Sequence, residues 1–124
     1  MIYFSTTVTA IGEEVSSLLE AGVLILYADG APPALAEVSV QHRVEIVHHE
    51  APLVGARFVV GNLSTRVTAV GPSAWNKVKD MGHVVINFNG SSLAERPGEI
   101  CVEACESVAL GREVRAGGVI LIAD

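Results

Sequence analysis

Basic side chains are scarce in this chain: 8 Lys and Arg stand against 14 Asp and Glu, a formal net charge of −6. Nucleic-acid binding rests on neutralising phosphates with cationic side chains, so this balance argues against nucleic acid and against an anionic membrane surface. Long apolar runs are missing as well. Val23 to Ala28 and Val119 to Ala123 are the longest, far below the roughly 18 residues of a membrane span, so no direct membrane insertion is expected. Cysteine is limited to Cys101 and Cys105. The opening Met1 to Thr7 has neither a basic region nor a long apolar core, so no signal peptide is expected. The two thiols are then expected to be reduced in a cytoplasmic protein. No histidine lies near them in sequence, and no metal site is expected. Glycine-rich phosphate loops of P-loop or Rossmann type are absent, so no cofactor is expected. Gly71-Pro72-Ser73 lacks the downstream glycine of a nucleophile elbow.

What is present is β signal. A length of 124 residues, half of them hydrophobic, predicts one domain over 1–124 with a proper core. Strands are predicted at Thr6–Ile11, Val23–Tyr27, Glu37–Val47, Arg57–Val60, Arg66–Val70, His83–Phe88, Glu99–Val102 and Val119–Ile122. Gly61 to Ser64 predicts a hairpin turn, and Asp29 to Pro33 a strong break. Short helices are predicted over Gly12–Leu19 and Ser73–Met81. Ser73 is the expected cap of the second, Trp75, Val78 and Met81 its apolar face, and Gly82 its stop. Glu103 to Ala116 shows no clear period and is expected to be a loop. No long helix separates consecutive strands. The expected fold is therefore all-β and mainly antiparallel, a barrel or a sandwich with one or two short helices.

His42 is the informative residue. In Glu37 to Val47 the positions split by a period of two, with Val38, Val40, Val44 and Ile46 on one face and Ser39, Gln41, Arg43 and Glu45 on the other. His42 falls on the apolar face. Such an imidazole is satisfied within the core, half-exposed at the sheet's end, or used in chemistry. Desolvation favours its neutral, nucleophilic form. His48 and His49 precede Pro52 in an expected solvated loop, where adjacent side chains diverge and do not make a metal pair. His83 follows Gly82 at a strand start, either a structural residue or a partner for His42.

The order of short segments along the chain resembles the glucitol/sorbitol-specific IIA component of the bacterial phosphoenolpyruvate-dependent sugar phosphotransferase system. The segments are Thr6 to Gly12, Gly30 to Glu37, Val67 to Gly71, Met81 to Val84, Phe88-Asn89-Gly90 and Ala94 to Gly98. The resemblance makes the expected fold a small closed β-barrel and implies a phosphoacceptor histidine that maps onto His42. A second histidine two residues later is missing, because that position is Val44. The implied partners are the histidine-containing phosphocarrier protein, which donates the phosphoryl group, and the IIB and IIC permease components, which use it to take up and phosphorylate glucitol or sorbitol. A non-catalytic binding or regulatory module that keeps the barrel is the alternative. A relay requires His42 neutral, exposed at one ring nitrogen and held at the other. The expected donors to the phosphoryl group are Arg66, Thr68, Ser73 and backbone amides, with Arg43 sent to the opposite face. His83 is the expected neighbour of His42 and an auxiliary residue of the site.

Overall fold

A computed structural model describes all 124 residues. The strands are β1 (Ile2–Ile11), β2 (Val23–Ala28), β3 (Val40–Val47), β4 (Arg57–Val60), β5 (Leu63–Val70), β6 (Val84–Asn87), β7 (Glu99–Val102) and β8 (Val119–Ala123). They close in the order β1-β3-β2-β6-β7-β5-β4-β8. Alternation builds the interior. In β1, Phe4, Thr6 and Val8 are buried while Ser5 and Thr7 are half-buried between them. Leu24, Leu26, Phe58, Val60, Val67, Ile86, Ile100, Ile120 and Ile122 complete one core. Each large aliphatic side chain buried there contributes about 1.5–3 kcal/mol.

The closed barrel is the fold expected from the sequence. Most pairings are antiparallel, but β2–β3 and β6–β7 run parallel. A parallel pair needs a crossover. The first contains α2 (Pro33–Ala36), a single turn that begins where the expected break over 29–33 ends, and the second is the loop 88–98. The hairpin turn is tighter than expected, because Val60 already pairs with Leu63 across Gly61-Asn62. Gly61 takes φ +56°, as that turn requires.

There are four helices rather than one or two. α1 (Val15–Glu20) and α3 (Ala74–Met81) lie where helices were expected. The Ser73 side chain makes no capping bond at α3, where its backbone N–H instead reaches the Pro97 carbonyl at 3.0 Å. Trp75 and Val78 are buried as expected, whereas Met81 is exposed. The loop expected over 103–116 contains α4 (Ser107–Glu113). Leu110 is its only buried residue, so the sequence carries no apolar stripe to mark it. No helix is long and apolar enough to cross a membrane.

Candidate functional site

β3 sits between β1 and β2, with His42 opposite Val8 on one side and beside Ala28 on the other. The ladder with β1 slips between Ser5 and Thr6 and again between Val8 and Ala10. Irregularities of this kind re-aim side chains and recur near active sites. The segment they bracket points both Thr6 and His42 into the barrel. Val40 and His42 are fully buried, Val44 is half-buried, and Ile46 is exposed. The apolar face read from the sequence therefore ends soon after the histidine.

Both ring nitrogens of His42 are engaged. Nδ1 lies 2.5 Å from Thr6 Oγ1, and Nε2 lies 2.6 Å from the Gly82 carbonyl oxygen. Phe4 meets the ring edge-on at 5.8 Å between centroids. His42 has no exposed surface, so the nitrogen expected at the surface is covered. The cover is the C-terminus of α3. Gly82 ends that helix in a left-handed conformation, φ +58°, and has no side chain to hold it off. A Cβ there would stand 3.1 Å from His42 Cε1 and 2.9 Å from Ala28 Cβ. Burial pulls the His42 pKa below its ordinary value, opposed by the bond to Gly82 and the charge of Asp29. Desolvation prevails, so the neutral ring is favoured as the sequence predicts.

The expected donors do not converge on this ring. Arg66 and Thr68 lie on β5, four strands from β3 in either direction round the barrel, and so on the opposite wall. Arg66 donates to the Gly55 carbonyl at 2.9 Å and Thr68 to the Ser91 carbonyl at 2.6 Å. Ser73 starts the helix that Gly82 ends, roughly 13 Å away at 1.5 Å per residue. Arg43 points outward, as expected, and pairs with Glu45 at 3.1 Å. Strand periodicity assigns a face but not a position round a barrel, and that is why these donors were misplaced.

His83 is one residue beyond the covering glycine. Its Nδ1–H donates to the Leu26 carbonyl at 3.0 Å, and its ring tilts over Tyr27 with centroids 5.0 Å apart. No hydrogen bond joins it to the His42 ring, whose two nitrogens are taken by Thr6 and Gly82. His48 and His49 follow β3, and their rings do not diverge as expected but stack on one another at 4.3 Å, because the chain bends after the strand ends. No group of three or more His, Cys, Asp or Glu side chains is placed to hold a metal ion. Cys101 is buried and Cys105 half-buried, both as free thiols. Burial and the neighbouring Glu99 carboxylate push the Cys101 pKa up to about 11.

Two contacts of His42 were not anticipated. The Gly82 carbonyl carries no signal in sequence beyond its role as a helix stop. Thr6 does carry one: a hydroxyl in phase with Phe4 and Val8 is a polar group on an apolar face, just as His42 is on β3.

Comparison with known proteins gives one consistent result. The sequence model of the PTS system glucitol/sorbitol-specific IIA component matches residues 3–117. The PTS system glucitol/sorbitol-specific EIIA components of Shigella flexneri and Escherichia coli (strain K12) are each 33% identical over 106 residues, covering 82% of this chain and 81% of theirs. The crystal structure of a PTS system IIA component from Enterococcus faecalis V583 superposes with a TM-score of 0.72, covering 97% of this chain and 99% of that one. At 16% identity that likeness speaks for the barrel alone. With a family match over nearly the whole length and relatives at one-third identity, this chain belongs to the glucitol/sorbitol-specific IIA components of the sugar phosphotransferase system.

Proposed function

We propose that this chain is a cytoplasmic phosphoryl carrier that accepts the group on His42. The donor is the phosphorylated histidine-containing phosphocarrier protein, and the recipient is the IIB component that serves uptake of glucitol or sorbitol. The observation that carries this reading is His42 itself, which a buried, irregular stretch of β3 holds as a neutral imidazole. The neutral ring is the nucleophilic form. A lone pair of that ring forms the new N–P bond. The donor's N–P bond breaks, and its electron pair returns to the donor imidazole. Transfer requires the Gly82 carbonyl to leave the ring, because it occupies the in-line path to Nε2. His83, the next residue along the chain, is the proposed auxiliary residue of this site.

Complete burial of His42 also suits a barrel module that has kept the fold without the relay. One experiment separates the two readings. The protein is incubated with phosphoenolpyruvate, enzyme I and the phosphocarrier protein, then analysed by mass spectrometry under alkaline conditions that preserve phosphohistidine. A phosphoryl group on the peptide containing His42 is the expected result. No label on that peptide with an active donor would favour the non-catalytic module.

A further inference from the structure

Three contacts run through His42 and Thr6, and their protons can be counted. The Gly82 carbonyl accepts only, so its 2.6 Å contact needs a proton on Nε2. The Arg43 carbonyl, 2.8 Å from Thr6 Oγ1, also accepts only and needs the hydroxyl proton of Thr6. With that proton committed, Thr6 meets His42 as an acceptor, and the 2.5 Å contact needs a proton on Nδ1. Three contacts thus need three protons. A neutral imidazole and one hydroxyl supply two. Burial disfavours the charged ring that would supply the third, so in the neutral protein one contact must open.

The three contacts are not equally free to open. Thr6 and Arg43 lie in adjoining strands, where Thr6 pairs with Val44 and Thr7 with Arg43 in the ladder. The ladder fixes that separation, so turning the hydroxyl to Nδ1 would leave Thr6 Oγ1 and the Arg43 carbonyl oxygen 2.8 Å apart with no proton between them. Gly82 is outside every strand, at the last turn of an eight-residue helix, with no side chain of its own. Its carbonyl can swing away at little cost to the sheet.

We propose that Thr6 is the positioning residue of His42: its hydroxyl donates to the Arg43 carbonyl, accepts Nδ1–H, and so leaves Nε2 as the nitrogen bared when Gly82 withdraws. With the ring neutral, its one proton sits on Nδ1, and Nε2 carries a bare lone pair once Gly82 has withdrawn. The Nε2 lone pair then forms the N–P bond, while the proton on Nδ1 stays on the ring. The positive charge that the ring gains is carried through Nδ1–H to Thr6 and on to the backbone of β3. The transfer step rests on the phosphoacceptor reading of His42, whereas the tautomer does not.

The test therefore has two parts. The first is the 15N spectrum of the His42 ring in the unphosphorylated protein, recorded at alkaline pH where the ring is neutral. Thr6 should hold the Nδ1–H form, against the Nε2–H form that free histidine prefers. A neutral ring in the Nε2–H form would overturn the proposal, whatever the protein's role. The second part uses Thr6→Val, which keeps the branched shape, and Thr6→Ser, which keeps the hydroxyl. Thr6→Val should revert the ring to Nε2–H and slow labelling by the phosphocarrier by about tenfold or more, the worth of a hydrogen bond to a charged group. Thr6→Ser should restore both. Equal labelling in the Val variant and the parent, with His42→Gln unlabelled, overturns the role of Thr6 and leaves the carrier reading standing. Normal labelling of His42→Gln overturns the carrier reading instead.

Discussion

The Gly82 carbonyl oxygen lies 2.6 Å from Nε2 of His42, so the last turn of α3 closes over a buried ring on β3. A helix terminus ordinarily offers its free carbonyls to solvent or to a capping group. Here one of them takes a histidine forty residues away in sequence, and the behaviour of the site follows from that contact.

The fit at Gly82 leaves no room for a side chain. Gly82→Ala places a Cβ at φ +58° and within 3.1 Å of both His42 Cε1 and Ala28 Cβ. We expect a loss of about 1–3 kcal/mol from backbone strain and overpacking together. A fall in the urea midpoint with unchanged slope is the measurement. A midpoint equal to that of the parent would show that the helix end sits clear of the ring.

Removal of the imidazole has a structural cost as well as a functional one. His42→Ala should abolish phosphoryl labelling and also destabilise the protein by about 2–4 kcal/mol, since it opens a cavity in the fully buried site beside Phe4. His48→Ala and His49→Ala alter residues beyond the end of β3 and should label normally. Intact-mass labelling together with denaturant titration of the three variants checks both statements.

Stability should also depend on pH through this ring. Its folded pKa lies below the ordinary 6.5, so the unfolded chain binds the proton more readily. The contribution of His42 is therefore full above about pH 6.5 and declines as pH falls from there through the folded pKa. Urea midpoints measured from neutral pH downward should show this decline, and His42→Gln should flatten it. An unchanged slope in that variant would assign the effect to other groups.

The thiols should differ in reactivity. Cys101 is wholly buried and its pKa is raised to about 11, which leaves about one molecule in a thousand as thiolate at pH 8. Cys105 is raised too, by burial, but is only half-buried. Iodoacetamide should alkylate Cys105 first, by about an order of magnitude or more in rate. Peptide mapping over a time course gives the order directly.

That this chain is built of β-strands, and that His42 is its unusual residue, can be read from the residues in order. Both follow from the period of two: alternation reports which face of a strand is buried, and an imidazole among valines breaks the pattern visibly. Thr6 was legible by the same rule, had the first strand been extended back to Phe4. Gly82 was legible only as a helix stop. The fourth helix was not legible, because Leu110 alone anchors it and one buried residue makes no stripe. Which groups meet at the ring is a matter of how the strands and helices assemble. It set β3 between β1 and β2, put Arg66 and Thr68 on the far wall, and brought the end of α3 down on Nε2. The physical reason is the range of the forces involved: local pattern fixes the face each residue presents, whereas neighbours round a closed barrel are fixed by strand pairings across the whole chain.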